Sequence, residues 1–193
     1  VAQVLADDTM EKPDVVTRGD LSFVVIKRGD RVGIRVKDSQ SQVLKSFKGL
    51  DYFPADPKWR VTASFAPYAT PKKVTIPTVL GTTESMEAPG LVAFTIDGKA
   101  LTLEPVVEDP SDAKLFFIFK DQTSAKETYG AGRFLYADMP KGGKVVLDFN
   151  HAYNPPCAFT PYATCPLPPK QNWLAIRVEA GEKAFAGGPH DAR

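Results

Sequence analysis

The chain has 193 residues, 43% hydrophobic and 24% charged, and its 24 Lys and Arg nearly cancel its 23 Asp and Glu. This is the composition of an ordinary globular protein, and the scattered charges form no basic stripe of the kind a phosphate backbone requires, so nucleic acid is not an expected partner. The longest apolar runs, such as Leu115–Phe119, are far too short to cross a bilayer, and no transmembrane segment is expected.

The chain begins at Val1, which leaves a removed leader open and the compartment unassigned. Residues 1–20 read as an N-terminal arm, residues 21–183 as one all-β domain, and residues 184–193 as a tail that frays. Leu21–Lys27 and Arg31–Lys37 alternate as strands around a short Arg28-Gly29-Asp30 turn. Ser41–Leu50 is the best candidate for a helix, and a weak one. Trp59–Phe65 and Lys73–Leu80 read as two further strands, the second interrupted by Pro77 and so placed at an edge or a break.

Leu91–Ile96 and Ala100–Val107 flank Asp97-Gly98, a strong hairpin signal. Leu115–Lys120 is apolar on both faces, as a strand covered on both sides must be. Thr128–Tyr136, Lys144–Asn150 and Trp173–Glu179 complete the set. The fold class that follows is all-β: an antiparallel β-sandwich or partly closed barrel of about nine strands, with a long proline-rich loop.

Pairing Thr128–Tyr136 with Lys144–Asn150 across a turn centred at Pro140–Lys141 sets Arg133 opposite Asp148 and Ala131 opposite Asn150. The apolar faces then coincide, which supports this register over a one-residue slip. The opposite face gathers Glu127, Tyr129, Arg133, Asp148 and Asn150. One reading is a solvated face with a cross-strand ion pair; the other is a polar pocket floor on which Arg133 receives an anionic group. Gly130 and Gly132 hint at close backbone approach.

The following stretch, DFNHAYNPPCAFTPYATCPLPP, holds Cys157 and Cys165 with seven residues between them, and His151 and Asn154 lie just upstream. The cysteines can be read as a disulfide, as two buried thiols, as half of a zinc site completed by His151 and Asp148, or as a nucleophile beside His151. An isolated C-x7-C lacks the paired spacing zinc favours, and no metal site is assigned. The prolines fix φ and stiffen the loop into either a pocket wall or a plug. Arg-Gly-Asp at 18–20 and 28–30 is explained by turn chemistry. Tyr129-Gly130-Ala131-Gly132 lacks the Lys and Ser/Thr of a phosphate loop.

KETYGAGRFLYADMP, KVVLDFNHAYNPPCAFTPYATCPLPP and NWLAIRVEAGEK, with VVIKRGDRVGIRVKD, FKGLDYFPADPKWRVTASF and LFFIFKDQTS upstream, resemble the domain-of-unknown-function 1684 family of bacterial and archaeal proteins. The resemblance spans residues 21–183 and implies that Glu127, Tyr129, Arg133, Asp148, Asn150, His151, Asn154, Cys157 and Cys165 belong to the family signature. The resemblance implies an additional N-terminal segment, expected to be short or missing here. The family brings no activity, cofactor or catalytic residue with it.

Three expectations follow. The first is a small polar or anionic ligand held under the proline-rich loop by Arg133, with Tyr129 and Asn150 orienting it and Asp148 steadying the arginine. The second is a hydrolase, with or without metal, using Glu127 or Asp148 with His151 for acid–base work. The third is a structural or accessory domain. Cofactor and oligomeric state stay unassigned.

Overall fold

The computed structural model describes residues 3–108, 111 and 113–187. Of the C-terminal tail expected to fray, residues 188–193 lie outside the described residues. The chain divides into two compact units, residues 1–49 and residues 50–193.

The first unit is an antiparallel meander of β1 (Val16–Arg18), β2 (Leu21–Arg28) and β3 (Arg31–Asp38), in the order β1-β2-β3. Arg28 pairs with Arg31 across a two-residue turn, and Gly29 takes φ +60° there, a conformation that glycine adopts without steric cost. The expected helix is a single short turn, α1 (Gln42–Ser46). Among the described residues of this unit no side chain is fully buried.

The second unit contains β4 (Arg60–Pro77), β5 (Thr83–Ile96), β6 (Lys99–Leu103), β7 (Lys114–Phe119), β8 (Arg133–Asp138) and β9 (Lys144–Asp148). β6-β5-β4-β9 form one antiparallel sheet, and β7-β8 form a separate two-stranded ribbon. The all-β reading holds, with nine strands among the described residues and several antiparallel sheets. Asp97 and Gly98 turn the β5–β6 hairpin with φ of 49° and 76°, which matches the right-handed strand twist.

Four expected strands differ. Trp59–Phe65 and Lys73–Leu80 belong to one strand, because a register shift between Pro67 and Lys72 absorbs the irregular stretch and Pro77 ends the ladder. Thr128–Tyr136 pairs only from Arg133 onward. Before it, the Thr123 carbonyl accepts the amides of Lys126, Glu127 and Thr128 in a tight turn. Trp173–Glu179 joins no ladder, although Leu174, Ile176, Val178 and Ala180 are buried in strand-like alternation.

The apolar run in β7 is covered on both faces, as its sequence requires. Leu115, Phe117 and Phe119 enter a core cluster with Val92, Phe94, Leu147, Phe149 and Val178, while Phe116 and Ile118 enter a second with Ile76, Phe134, Cys157 and Cys165. Each such side chain, removed fully from water, contributes about 1.5–3 kcal/mol of transfer free energy.

Candidate functional site

The expected Arg133–Asp148 pair does not form, because β8 pairs with β7 and β9 pairs with β4. The apolar alternation that favoured a β8–β9 ladder is satisfied instead by β8 facing β7 and β9 facing β4. Arg133 is 1% exposed and donates to the Asp121 carboxylate at 2.9 Å. Its guanidinium also donates to the carbonyls of Val178 (2.8 Å), Glu182 (3.3 Å) and Ala180. Asp121 in turn accepts the Val178 amide at 3.1 Å and both the amide and hydroxyl of Thr123.

Carbonyls two residues apart point the same way along an extended chain. The guanidinium fork therefore takes the place of a neighbouring strand for residues 178–182. Upstream of it, the Leu174 amide donates to the Lys120 carbonyl at 2.7 Å and the Gln122 amide to the Ile176 carbonyl at 2.9 Å, so the inward side chains of Trp173–Glu179 are buried without a regular ladder. Burial pulls the Arg133 pKa below its ordinary value, and Asp121 opposes that shift. The side chain is an internal brace with no open face for a ligand.

Glu127 pairs instead with Arg177 at 2.5 Å, near the surface. Tyr129 packs against the second core cluster, and its hydroxyl donates to the Cys157 carbonyl at 3.3 Å. Asn154 is buried, its amide nitrogen held by Glu182 and its side chain by the Lys183 carbonyl, both at 2.7 Å. These three do not share a site with Asp148.

Cys157 and Cys165 are free buried thiols, with the Cys157 amide donating to the Cys165 sulfur at 3.2 Å. A hydrogen bond from Cys165 brings the Cys157 thiol down to about 7, against the effect of burial. The same bond and burial push Cys165 up. His151 is 80% exposed in its side chain, so imidazole and thiols are not gathered. Among the described residues, no group of three or more His, Cys, Asp and Glu is placed to hold a metal ion.

Asp148, Asn150 and His151 do come together. Asp148 closes β9 and caps the following 3-10 turn, accepting from the Asn150 amide at 3.1 Å and its side chain at 2.9 Å. Asn150 exchanges hydrogen bonds with the Asp56 backbone, both at 3.1 Å, fixing the chain that leads into β4. The other Asp148 oxygen lies 3.7 Å from Arg60 Nε and 3.8 Å from His151 Nε2.

These groups form one end of a cleft of about 430 Å³ between the outer edge of the large sheet and the end of the β7–β8 ribbon. The β4–β9 pairing explains its charge. Val61, Ala63, Val145 and Leu147 point into the core, so Arg60 and Lys144 point out on the same face as Asp148. Lys144 donates to Ser64 at 3.1 Å. Lys114 at the start of β7 and Lys141 in the β8–β9 turn face the same space. Four cationic side chains thus meet two carboxylates, Asp138 and Asp148, in a groove of ligand size. Only Asp148 and His151 of this set were expected from the sequence. Arg60, Lys114 and Lys144 each sit at a strand end, where a lone lysine or arginine reads as ordinary surface.

The family model for a protein of unknown function, DUF1684, matches residues 45–183, the segment that holds the whole cleft. The chain belongs to the DUF1684 family. The DUF1684 fold seen here is also similar to the solution NMR structure of an uncharacterized protein from Haloarcula marismortui. That protein is 36% identical, with a TM-score of 0.60 over 72% of this chain and 78% of the other. No curated protein matches the chain. Among the described residues, no helix is long and apolar enough to cross a membrane.

Proposed function

We propose that the 50–193 unit binds a small anionic molecule in the cleft bounded by β9 and the end of the β7–β8 ribbon. The observation that carries this reading is the convergence of Arg60, Lys114, Lys141 and Lys144 on one groove that, among the described residues, holds two carboxylates. Arg60 reaches Asp148 at 3.7 Å, longer than a bidentate pair, and its side chain is 62% exposed, so its guanidinium retains donors for a ligand. Asp148 and the Asn150–Asp56 bonds hold the arginine's end of the cleft in place. This keeps the ligand class expected from the sequence and moves the anchor from Arg133 to Arg60.

The test is titration of inorganic phosphate and citrate into the full chain, followed by backbone amide NMR shifts. Binding should perturb residues 60, 114 and 144, and Arg60→Ala with Lys144→Ala should weaken it about tenfold or more. Unchanged affinity in that double variant would remove the cleft from consideration. A second reading, acid–base hydrolysis, is favoured by the single Asp148–His151 distance of 3.8 Å. Turnover of p-nitrophenyl phosphate lost in His151→Asn, with phosphate binding retained, would select it.

A further inference from the structure

We infer that a second depression, walled by the proline-rich segment, binds a small molecule made of a flat aromatic ring and an anionic group. It encloses about 560 Å³, and Pro77, Ala131, Leu167, Pro168 and Pro169 supply its apolar wall. Its chemistry comes from Trp173, Lys120 and Lys170.

The wall is rigid. Leu167 donates its amide to the Pro77 carbonyl at 2.7 Å, and Pro168 lies directly on Gly132, where an added Cβ would meet its ring at 2.5 Å. Proline φ is fixed by its ring, which stiffens this segment beside the depression.

Trp173 is the central feature. It is 54% exposed, yet its indole N–H is satisfied internally by the Pro168 carbonyl at 3.0 Å. The ring is thereby held at a set angle with apolar surface left in water. A pre-oriented face of this kind favours stacking by another ring, and little ordering cost opposes it.

The charge of the lining selects the ligand. Among the described residues that line it, Lys120 and Lys170 are the charged groups, and the nearby Glu104 carboxylate is taken up by Gln171 outside the lining. Neither lysine enters an ion pair among the described residues. Lys120 Nζ lies 5.4 Å from the Trp173 ring centre, near the outer limit of a cation–π contact, where a ligand anion competes well for it. A sugar is a poorer fit, because the amide nitrogen of Gln171 is already committed to Glu104 at 2.9 Å and few other polar groups face the space. This site is separate from the cationic cleft and does not depend on it.

The experiment compares 2-naphthoate, uncharged 2-naphthamide and cyclohexanecarboxylate, each titrated into the full chain. The readout is the Trp173 indole N–H resonance, assigned by its loss in Trp173→Leu. Naphthoate should shift that resonance saturably, with the other two at least about tenfold weaker, since one lacks the charge and the other the ring. Lys120→Ala with Lys170→Ala should bring naphthoate down to the level of naphthamide while leaving phosphate binding in the cleft unchanged. Lys170 is exposed, Lys120 is half-buried and neither belongs to a core cluster, so this variant should fold even if Trp173→Leu does not. Equal binding of naphthoate and naphthamide, an unmoved indole resonance, or full affinity in the lysine variant would each overturn the inference.

Discussion

Arg133 and Asp121 meet at 2.9 Å with 1% of each side chain exposed, and together they hold the carbonyls of Val178, Ala180 and Glu182 and the amide of Val178. The pair substitutes for a β-strand that the fold does not supply. Removing one member strands a buried charge, which typically costs about 3–5 kcal/mol. Arg133→Met should therefore lower the urea midpoint severely. Arg133→Lys should recover only part of the loss, because an ammonium cannot span carbonyls spaced along a chain as a planar fork does. Arg133→Met combined with Asp121→Leu should be less destabilised than the sum of the single variants. Simple additivity would mean the two side chains act independently.

Gly132 is the second point at which the sequence dictates packing. Its φ is +105°, and a Cβ there would lie 2.5 Å from Pro168 and 2.6 Å from the Phe119 carbonyl. Gly132→Ala combines left-handed strain with overpacking against a wall that cannot give, and a loss of about 2–4 kcal/mol is expected. Gly142, at φ +56° with open space around it, should lose much less on the same change. Thermal melts of the two variants side by side give the comparison.

These two residues show what was legible in the sequence and what was not. Close approach at Gly132 could be read from a glycine inside an apolar alternation, and so could the doubly covered β7 from five consecutive buried residues. The partner of Arg133 could not. Period-two alternation says which face of a strand is buried but not which strand lies beside it, and β8 and β9 carry faces that fit each other as well as they fit β7 and β4. Trp173–Glu179 misled for a related reason: its side chains alternate like a strand's, but its backbone meets residues 120–122 in only a few hydrogen bonds and then turns to the side chains of Arg133 and Asp121 at Val178. The cationic cleft was half visible, through Asp148 and His151, because its lysines come from strand ends far apart in sequence.

The thiol pair predicts a stability profile with a turning point. The hydrogen bond from Cys165 lowers Cys157 from its ordinary 9.0 to about 7, with help from Tyr129, while Cys165 is raised. Between pH 7 and 9 the folded protein has released a proton that the unfolded chain still binds, so stability should rise with pH across that window. Above it the unfolded chain loses its second thiol proton while folded Cys165 keeps its own, and stability should fall. Cys165→Ala removes the donor, returns Cys157 towards its ordinary value and should flatten the rise. Denaturation midpoints of both proteins across this pH range measure the effect. A native thiolate absorbance that first appears only near pH 9 would contradict it.

Asn172 gives the most selective test of how the core is joined. Its side-chain oxygen accepts the Glu104 amide at 2.8 Å, and its nitrogen donates to the carbonyls of Glu104 at 2.9 Å and Ile118 at 3.0 Å. A single buried amide thus mimics a strand residue and ties the end of β6 to β7. Asn172→Leu, similar in size, leaves three backbone groups without partners, and each unsatisfied buried group costs about 1–3 kcal/mol. Asn172→Asp keeps the shape and the acceptor but turns a donor into an oxygen facing two carbonyls. It should be the worse variant at neutral pH and recover partly in acid, when a protonated carboxyl can donate to one of them. A leucine variant as unstable as the aspartate at every pH would mean that packing, and not the pattern of donors, is what position 172 supplies.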